Sequence, residues 1–271
     1  MILNGDPKNG AVEYPRPLFS GVGVALVTLF GDDGCLDADA TAAHAARLVD
    51  LGVRAVVVAG TTGEASTLSP EERRDLLRAV RKAIPPGGGV PVIAGTGAPS
   101  ARQAASLTSD AKEGGADAVL VLSPPGSADV LPYYDTVAGA AGGMPVLAYH
   151  FPAVSPPGIP VPALAGLPVQ GCKDSSGDPD RLLETIDVWD GPLYVGSSSL
   201  LSLAGPLGCA GAILALANAE PESCIAAFAG DASAQRALAS AHRQSQRRFP
   251  GGIKALTAAR FATPTGTRLA P

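Results

Sequence analysis

The apolar positions of the chain fall into short, nearly continuous runs separated by longer mixed segments. The runs are VGVALVTLF (22–30), RAVVVAG (54–60), PVIAGTG (91–97), DAVLVLS (117–123), PVLAYHF (145–151), VQGCKD (169–174), LYVGSS (193–198) and AGAILALA (210–217). They do not alternate between apolar and polar, which is the pattern of strands covered on both faces in a parallel sheet. The segments between them carry helix signals. In SPEERRDLLRAVRKA, Ser69 stands as N-cap, Pro70 at the first helical position, and Glu72 completes a capping box. DADATAAHAARLVDLG opens with acidic residues and stops at Gly52, and SARQAASLTSDAKEGG (100–115) also stops in glycine.

Eight strands alternating with helices over 271 residues predict an α/β fold, a single closed (β/α)8 TIM barrel with a short C-terminal helical extension. The expected boundaries are an N-terminal arm at 1–20, the barrel at 21–218, and helices with a polar tail (ATPTGTRLAP) at 219–271. A doubly wound open sheet is the alternative, but no GxGxxG follows the first strand to support it.

Composition narrows the setting. Apolar residues make up 46% of the chain and aromatic residues only 4%, so core volume has to come from Ala, Val and Leu. The formal net charge is −5 with scattered basic residues, which gives no nucleic-acid surface. The longest apolar runs fall well short of the roughly 20 residues of a membrane helix. The first residues lack the apolar core of a signal peptide. Cys35, Cys172, Cys209 and Cys224 lie far apart without a CxxC pair, which suits reduced thiols in a cytoplasm. His44, His150 and His242 lack the spacing of a metal site, so neither a metal nor a cofactor is expected.

In such a barrel chemistry gathers at the C-terminal ends of the strands. Of the five lysines, only Lys173, in PVQGCKDSSGD, ends a strand. A neutral amine among apolar side chains is a nucleophile toward carbonyl carbon and gives a Schiff base. Equally open from position is a structural lysine paired with a carboxylate such as Asp174. The second strand runs into GTTGE, where Gly60 and Gly63 flank Thr61 and Thr62. That turn can converge N–H and hydroxyl groups on an anion such as a carboxylate, or it is simply a βα turn. The fifth strand ends in AYHFP and puts Tyr149 at the barrel mouth, as a proton carrier or as a buried strand tyrosine. Strand alternation turns Cys172 and His150 away from the interior if Lys173 and Tyr149 point in.

Gly60-Thr61-Thr62-Gly63-Glu64, Tyr149-His150-Phe151-Pro152 and Lys173-Asp174-Ser175-Ser176-Gly177-Asp178 occur in this order. With AGTGA (94–98) and GADAVLVLSPP (115–125), the set resembles the dihydrodipicolinate synthase and N-acetylneuraminate lyase superfamily from about Gly21 to Asn218. The resemblance implies a class I, metal-independent aldolase. Lys173 would form the imine with pyruvate or a longer 2-oxo acid, Thr61 and Thr62 would hold its carboxylate, and Tyr149 would move protons. Gly196 and Ile213 are expected near the substrate. A homodimer or homotetramer is also implied.

Two departures bear on the substrate. The synthases usually carry an arginine shortly after YxxP that meets a distal carboxylate; here the stretch is Ala153-Val154-Ser155-Pro156-Pro157-Gly158. The paired tyrosines expected after SPP are replaced by Gly126-Ser127, and Tyr133-Tyr134 come only later, where they also fit as core residues of the next helix. The expectation is therefore an aldolase for a 2-keto-3-deoxy sugar acid or 4-hydroxy-2-oxoglutarate type of substrate. The alternatives are a 4-hydroxy-tetrahydrodipicolinate synthase, with Arg181 or Arg54 replacing the missing guanidinium, and a catalytically weak 2-oxo-acid-binding homologue.

Overall fold

The computed structural model describes residues 16–127 and 129–269. Eight parallel strands close in sequence order: β1 (Gly21–Ala25), β2 (Ala55–Val58), β3 (Val92–Gly95), β4 (Ala118–Leu122), β5 (Val146–His150), β6 (Gly171–Asp174), β7 (Leu193–Val195) and β8 (Gly211–Leu214), which pairs back onto β1. The helices are α1 (Ala38–Asp50), α2 (Pro70–Ala83), α3 (Ala101–Glu113), α4 (Leu131–Ala141), α5 (Pro179–Val188), α6 (Leu201–Ala204), α7 (Pro221–Phe228), α8 (Ala232–Ser245) and α9 (Gly251–Phe261). This is the (β/α)8 barrel with C-terminal helices that the sequence predicts.

Local signals act as expected at α2, where the Ser69 hydroxyl accepts from the Glu72 N–H and the Glu72 carboxylate accepts from the Ser69 N–H. The β5–β6 crossover departs from the regular alternation. Pro152, Pro156, Pro157, Pro160 and Pro162 remove backbone donors there. A 3-10 segment at Val161–Gly166 makes the connection without an α-helix.

β1 is shorter than its apolar run. It ends at Ala25, although Leu26, Val27, Leu29 and Phe30 are all buried. Side chains, not a neighbouring strand, satisfy part of this backbone. Val27 N–H donates to Asn218 Oδ1 (3.0 Å), Asn218 Nδ2 donates to the Ala25 carbonyl (2.7 Å), and Leu29 N–H donates to Thr41 Oγ1 (3.0 Å). The run is apolar because it is core, and it stops being a strand because its ladder partners are side chains. β7 likewise ends at Val195, and Ser197 to Ser199 form a turn instead of extending it.

Alternation sorts the strand residues into two layers. Val57, Ile93, Leu120, Leu147, Tyr149, Tyr194 and Ile213 form the interior cluster, while Val56, Val58, Val119 and Cys172 pack outward against the helices. Residues 1–15 of the expected arm lie outside the described residues. Phe19, just after them, stacks on Tyr194 with ring centroids 4.7 Å apart, and Tyr194 Oη donates to the Phe19 carbonyl (3.1 Å). This aromatic pair fills the N-terminal end of the interior, so access is left to the opposite mouth.

The described part of the polar tail after α9 folds back onto the barrel. Arg268 forms two short contacts to the Glu72 carboxylate (2.6 and 2.9 Å), and the Arg268 and Leu269 N–H groups both donate to Glu64 Oε2 at 2.8 Å. Among the described residues no helix is long and apolar enough to cross a membrane.

Candidate active site

The β5–β6 register pairs Tyr149 with Lys173, and the β6–β7 register pairs Lys173 with Tyr194. These three side chains point inward on adjacent strands, Lys173 and Tyr149 toward the C-terminal mouth and Tyr194 toward the Phe19 end. Lys173 is 4% exposed and its Nζ lies 4.2 Å from the Tyr149 ring centroid. It makes no ion pair among the described residues. The carboxylate that could have neutralised it is committed elsewhere: Asp174 Oδ2 accepts from Arg181 Nε (2.7 Å), and Asp174 Oδ1 accepts from the Ser176 N–H (2.7 Å). The lysine–aspartate pairing that position alone left open is absent because alternation turns Asp174 outward.

Lys173 and Tyr149 open into a cavity of about 370 Å³ at the C-terminal mouth. Thr61 and Thr62 reach the same cavity from the turn after β2, and Ser175, Ser176 and Gly177 reach it from the turn after β6. The Thr61–Gly63 N–H groups and the two threonine hydroxyls have no hydrogen-bond partner among the described residues. They are free to receive an anion. The turn is held from behind, with Thr28 Oγ1 donating to the Gly63 carbonyl (2.7 Å) and the Ala65 N–H to the Gly60 carbonyl (3.2 Å). Gly60 lines a small adjoining cavity of about 50 Å³ that also touches Tyr149.

Gly196 lines the main cavity, and its lack of a side chain is required there. A Cβ would collide with Ser175 Oγ and stand 3.0 Å from Lys173 Cε. Ile213 is placed differently from the expected pocket wall. It is wholly buried in the interior cluster with Tyr149, and residues 214–216 line the cavity in its place.

The neighbours of the two central residues are structural. Burial pushes the Cys172 thiol well above its usual range. His150 Nδ1 accepts from the Ile159 N–H (2.9 Å), and burial lowers its imidazole to about 4. Tyr133 and Tyr134 belong to α4 as buried residues: their hydroxyls donate to the carbonyls of Ala98 (2.9 Å) and Val121 (2.8 Å), and neither lines the main cavity. Neither arginine considered for a distal carboxylate reaches the cavity. Arg181 is spent on Asp174 and the Ile159 carbonyl (2.7 Å), and Arg54 precedes β2, at the opposite end of the barrel.

Two contributions come from beyond the barrel and were not foreseen. Lys254 of α9 is wholly buried and donates to Glu64 Oε1 (2.6 Å), closing the residue next to the threonine turn. Glu64 itself sits at φ 55°, in the left-handed region that non-glycine residues seldom adopt. His242 and Ser245 of α8, and Gln246 and Phe249 after it, also line the cavity, and His242 Nδ1 lies 2.8 Å from Ser198 Oγ. The one signal for the latter was a polar stripe, Gln235, His242 and Gln246, at helical spacing on an Ala-rich segment.

Comparison with known proteins agrees with this architecture. Residues 18–259 match the Dihydrodipicolinate synthetase family. An uncharacterised DapA-like lyase of Halobacterium salinarum is 40% identical, over 77% of this chain and 70% of that protein. A 4-hydroxy-tetrahydrodipicolinate synthase of Pseudomonas aeruginosa is 37% identical, over 82% and 80%. A probable mitochondrial 4-hydroxy-2-oxoglutarate aldolase of Emericella nidulans is also 37% identical, over 78% and 72%. Among solved structures, the dihydrodipicolinate synthase of Acinetobacter baumannii complexed with pyruvate superposes with a TM-score of 0.83 at 28% identity, covering 94% of each chain. The match reaches 41 residues past Asn218, where the motifs stop, and so takes in the C-terminal helices that complete the site. The chain belongs to the Dihydrodipicolinate synthetase family, whose members are lyases and aldolases.

Proposed function

We propose that this protein is a Schiff-base aldolase that reversibly cleaves a 2-oxo acid, with pyruvate as the product or co-substrate. The observation that carries the reading is Lys173: nearly buried, without an ion pair among the described residues, against the Tyr149 ring and in one cavity with the open Thr61–Thr62 turn. The neutral amine adds to the keto carbon and water leaves, giving a protonated imine. Deprotonation of the C4 hydroxyl then lets the C3–C4 bond break, its electron pair passing into the enamine. Protonation of C3 and hydrolysis of the imine release pyruvate and restore Lys173. Tyr149, whose ring lies against Lys173 Nζ, would carry these protons, and the threonine turn would hold the carboxylate so that the keto carbon faces Nζ.

The substrate is of the 2-keto-3-deoxy sugar acid or 4-hydroxy-2-oxoglutarate type. The 4-hydroxy-2-oxoglutarate aldolase among the relatives supports this type, and the absence of an arginine from the cavity lining among the described residues supports its sugar-acid member. The synthase reading is disfavoured because Arg181 and Arg54 do not reach the cavity. Borohydride reduction with pyruvate, followed by intact mass and peptide mapping, tests the proposal. A reduced adduct on Lys173 that disappears in Lys173→Ala supports it. Absence of any adduct on folded protein with pyruvate or longer 2-oxo acids would overturn it, and trapping without turnover would leave a binding protein.

A further inference from the structure

The cavity has two chemically distinct sides. One carries Lys173, Tyr149 and the threonine turn. The other is a neutral wall made by Ser197 and Ser199 from the turn after β7, by His242 from α8 and by Gln246 just after it. Among the described residues Lys173 is the one lysine or arginine that lines the cavity, and no aspartate or glutamate lines it. If the lysine is consumed as an imine, nothing in this described lining remains to neutralise a second carboxylate.

The wall is fixed in place. Gln235 and His242 stand seven residues apart, two turns on one face of α8, and both grip the same loop. Gln235 Nε2 donates to the Ser198 carbonyl (2.9 Å) and Gln235 Oε1 accepts from the Ser202 N–H (3.0 Å). His242 Nδ1 meets Ser198 Oγ at 2.8 Å. At the end of the helix Ser245 Oγ donates to the His242 carbonyl (2.7 Å), which ties down the backbone that carries the ring. Burial and the neighbouring Arg243 hold the His242 imidazole below its usual range. A ring neutral near pH 7, with Nδ1 already engaged by Ser198, has Nε2 left to offer one hydrogen bond.

We infer that His242, oriented by Ser198, is a specificity-determining residue that reads a hydroxyl on the carbonyl half of the substrate. The substrate is therefore a polyhydroxylated, singly charged 2-oxo acid and not a dicarboxylate. This rests on the 2-oxo-acid reading above and narrows it to the sugar-acid class. The physical contrast is sharp: hydroxyls suit a wall of neutral donors and acceptors, whereas a second carboxylate would be desolvated there without a cation.

The test is the ratio of dissociation constants for a 2-keto-3-deoxy sugar acid and for pyruvate, measured by calorimetric titration in Lys173→Ala, where the acid is bound and not cleaved, alone and combined with His242→Ala or His242→Gln. With His242 intact, the protein is expected to prefer the hydroxylated acid. His242→Ala should lose about tenfold of that preference, the value of one directed hydrogen bond. The amide of His242→Gln can reach the Nε2 position and should recover most of it. An unchanged ratio in His242→Ala, equal weakening of both ligands, or stronger binding of 4-hydroxy-2-oxoglutarate than of the sugar acid would overturn the inference. Titration needs no turnover, so a failed borohydride trap would remove the Schiff-base reading while these ratios still decide the role of His242.

Discussion

Glu64 and Lys254 lie 190 residues apart in the chain, yet Lys254 Nζ stands 2.6 Å from Glu64 Oε1 with both side chains sealed from solvent. The pair fixes a carboxylate whose other oxygen takes the Arg268 and Leu269 N–H groups. Lys254 also donates to the Gly266 carbonyl, so no part of this cluster is idle. Removing one partner leaves a buried charge alone. Lys254→Met should therefore cost about 3–5 kcal/mol of folding stability, and the double variant Glu64→Gln with Lys254→Met should cost clearly less than that. Urea titrations of the three proteins check this, and equal losses for single and double variants would contradict it.

Glu64 follows directly on the threonine turn, so the same lesion should be felt in binding. At temperatures where Glu64→Gln remains folded, its apparent affinity for pyruvate should fall by several-fold, while imine trapping at saturating pyruvate still modifies Lys173. An affinity equal to the wild type would show that the turn keeps its shape unaided.

Tyr149→Phe retains the ring beneath Lys173 Nζ and removes the hydroxyl alone. Turnover should drop by about 10²–10⁴-fold, the usual range for a lost general acid–base group, with little change in melting temperature. Steady-state kinetics decide it, and a loss below about threefold would assign the proton transfers to another group.

Gly196→Ala introduces a methyl into the space held by Ser175 Oγ and Lys173 Cε. Ser175 or the lysine has to move, and misplacement of the nucleophile by a fraction of an ångström is costly to rate. Activity should fall by about 100-fold. The paired variant Gly196→Ala with Ser175→Gly should recover part of it, because the worst contact has then been removed.

His44 is buried in α1 with neither ring nitrogen hydrogen-bonded among the described residues, and its ring packs against Phe261 at 5.4 Å. Burial first, and then Arg47, lower its imidazole to about 4 from an ordinary 6.5. The unfolded chain thus binds the proton more tightly than the native one. His44 contributes nothing to pH dependence above about 6.5, and stability is lost as pH falls from there toward 4, by up to roughly 3 kcal/mol. Denaturation midpoints between pH 7 and 4 should show this slope, and His44→Leu should reduce it, the remainder coming from His150, which burial lowers to a similar value.

The strand-end residues were legible because their positions follow from local pattern. Lys173, Tyr149 and the Thr61–Thr62 turn each close an apolar run, and the barrel rule gathers such ends at one mouth. The pairing of Asp174 with Arg181 was not legible, since it depends on where α5 begins relative to β6. The long first run misled for a related reason, because burial and strand geometry separate where Asn218 and Thr41 side chains replace the ladder. Least visible were Lys254, His242 and Arg268. Their polar side chains look solvated in an Ala-rich context, and only tertiary docking places them within reach of Glu64, Ser198 and Glu72.

The docking of the last segment against Glu64 also sets an order of events during synthesis. At roughly 5–20 residues per second, some 10–40 s separate emergence of the threonine turn from that of the lysine which neutralises its glutamate. Arg268 arrives later still. Through that interval the nascent barrel carries the Thr61–Thr62 turn without the groups that lock it. The threonine side of the cavity is thus completed late, although its residues are made early.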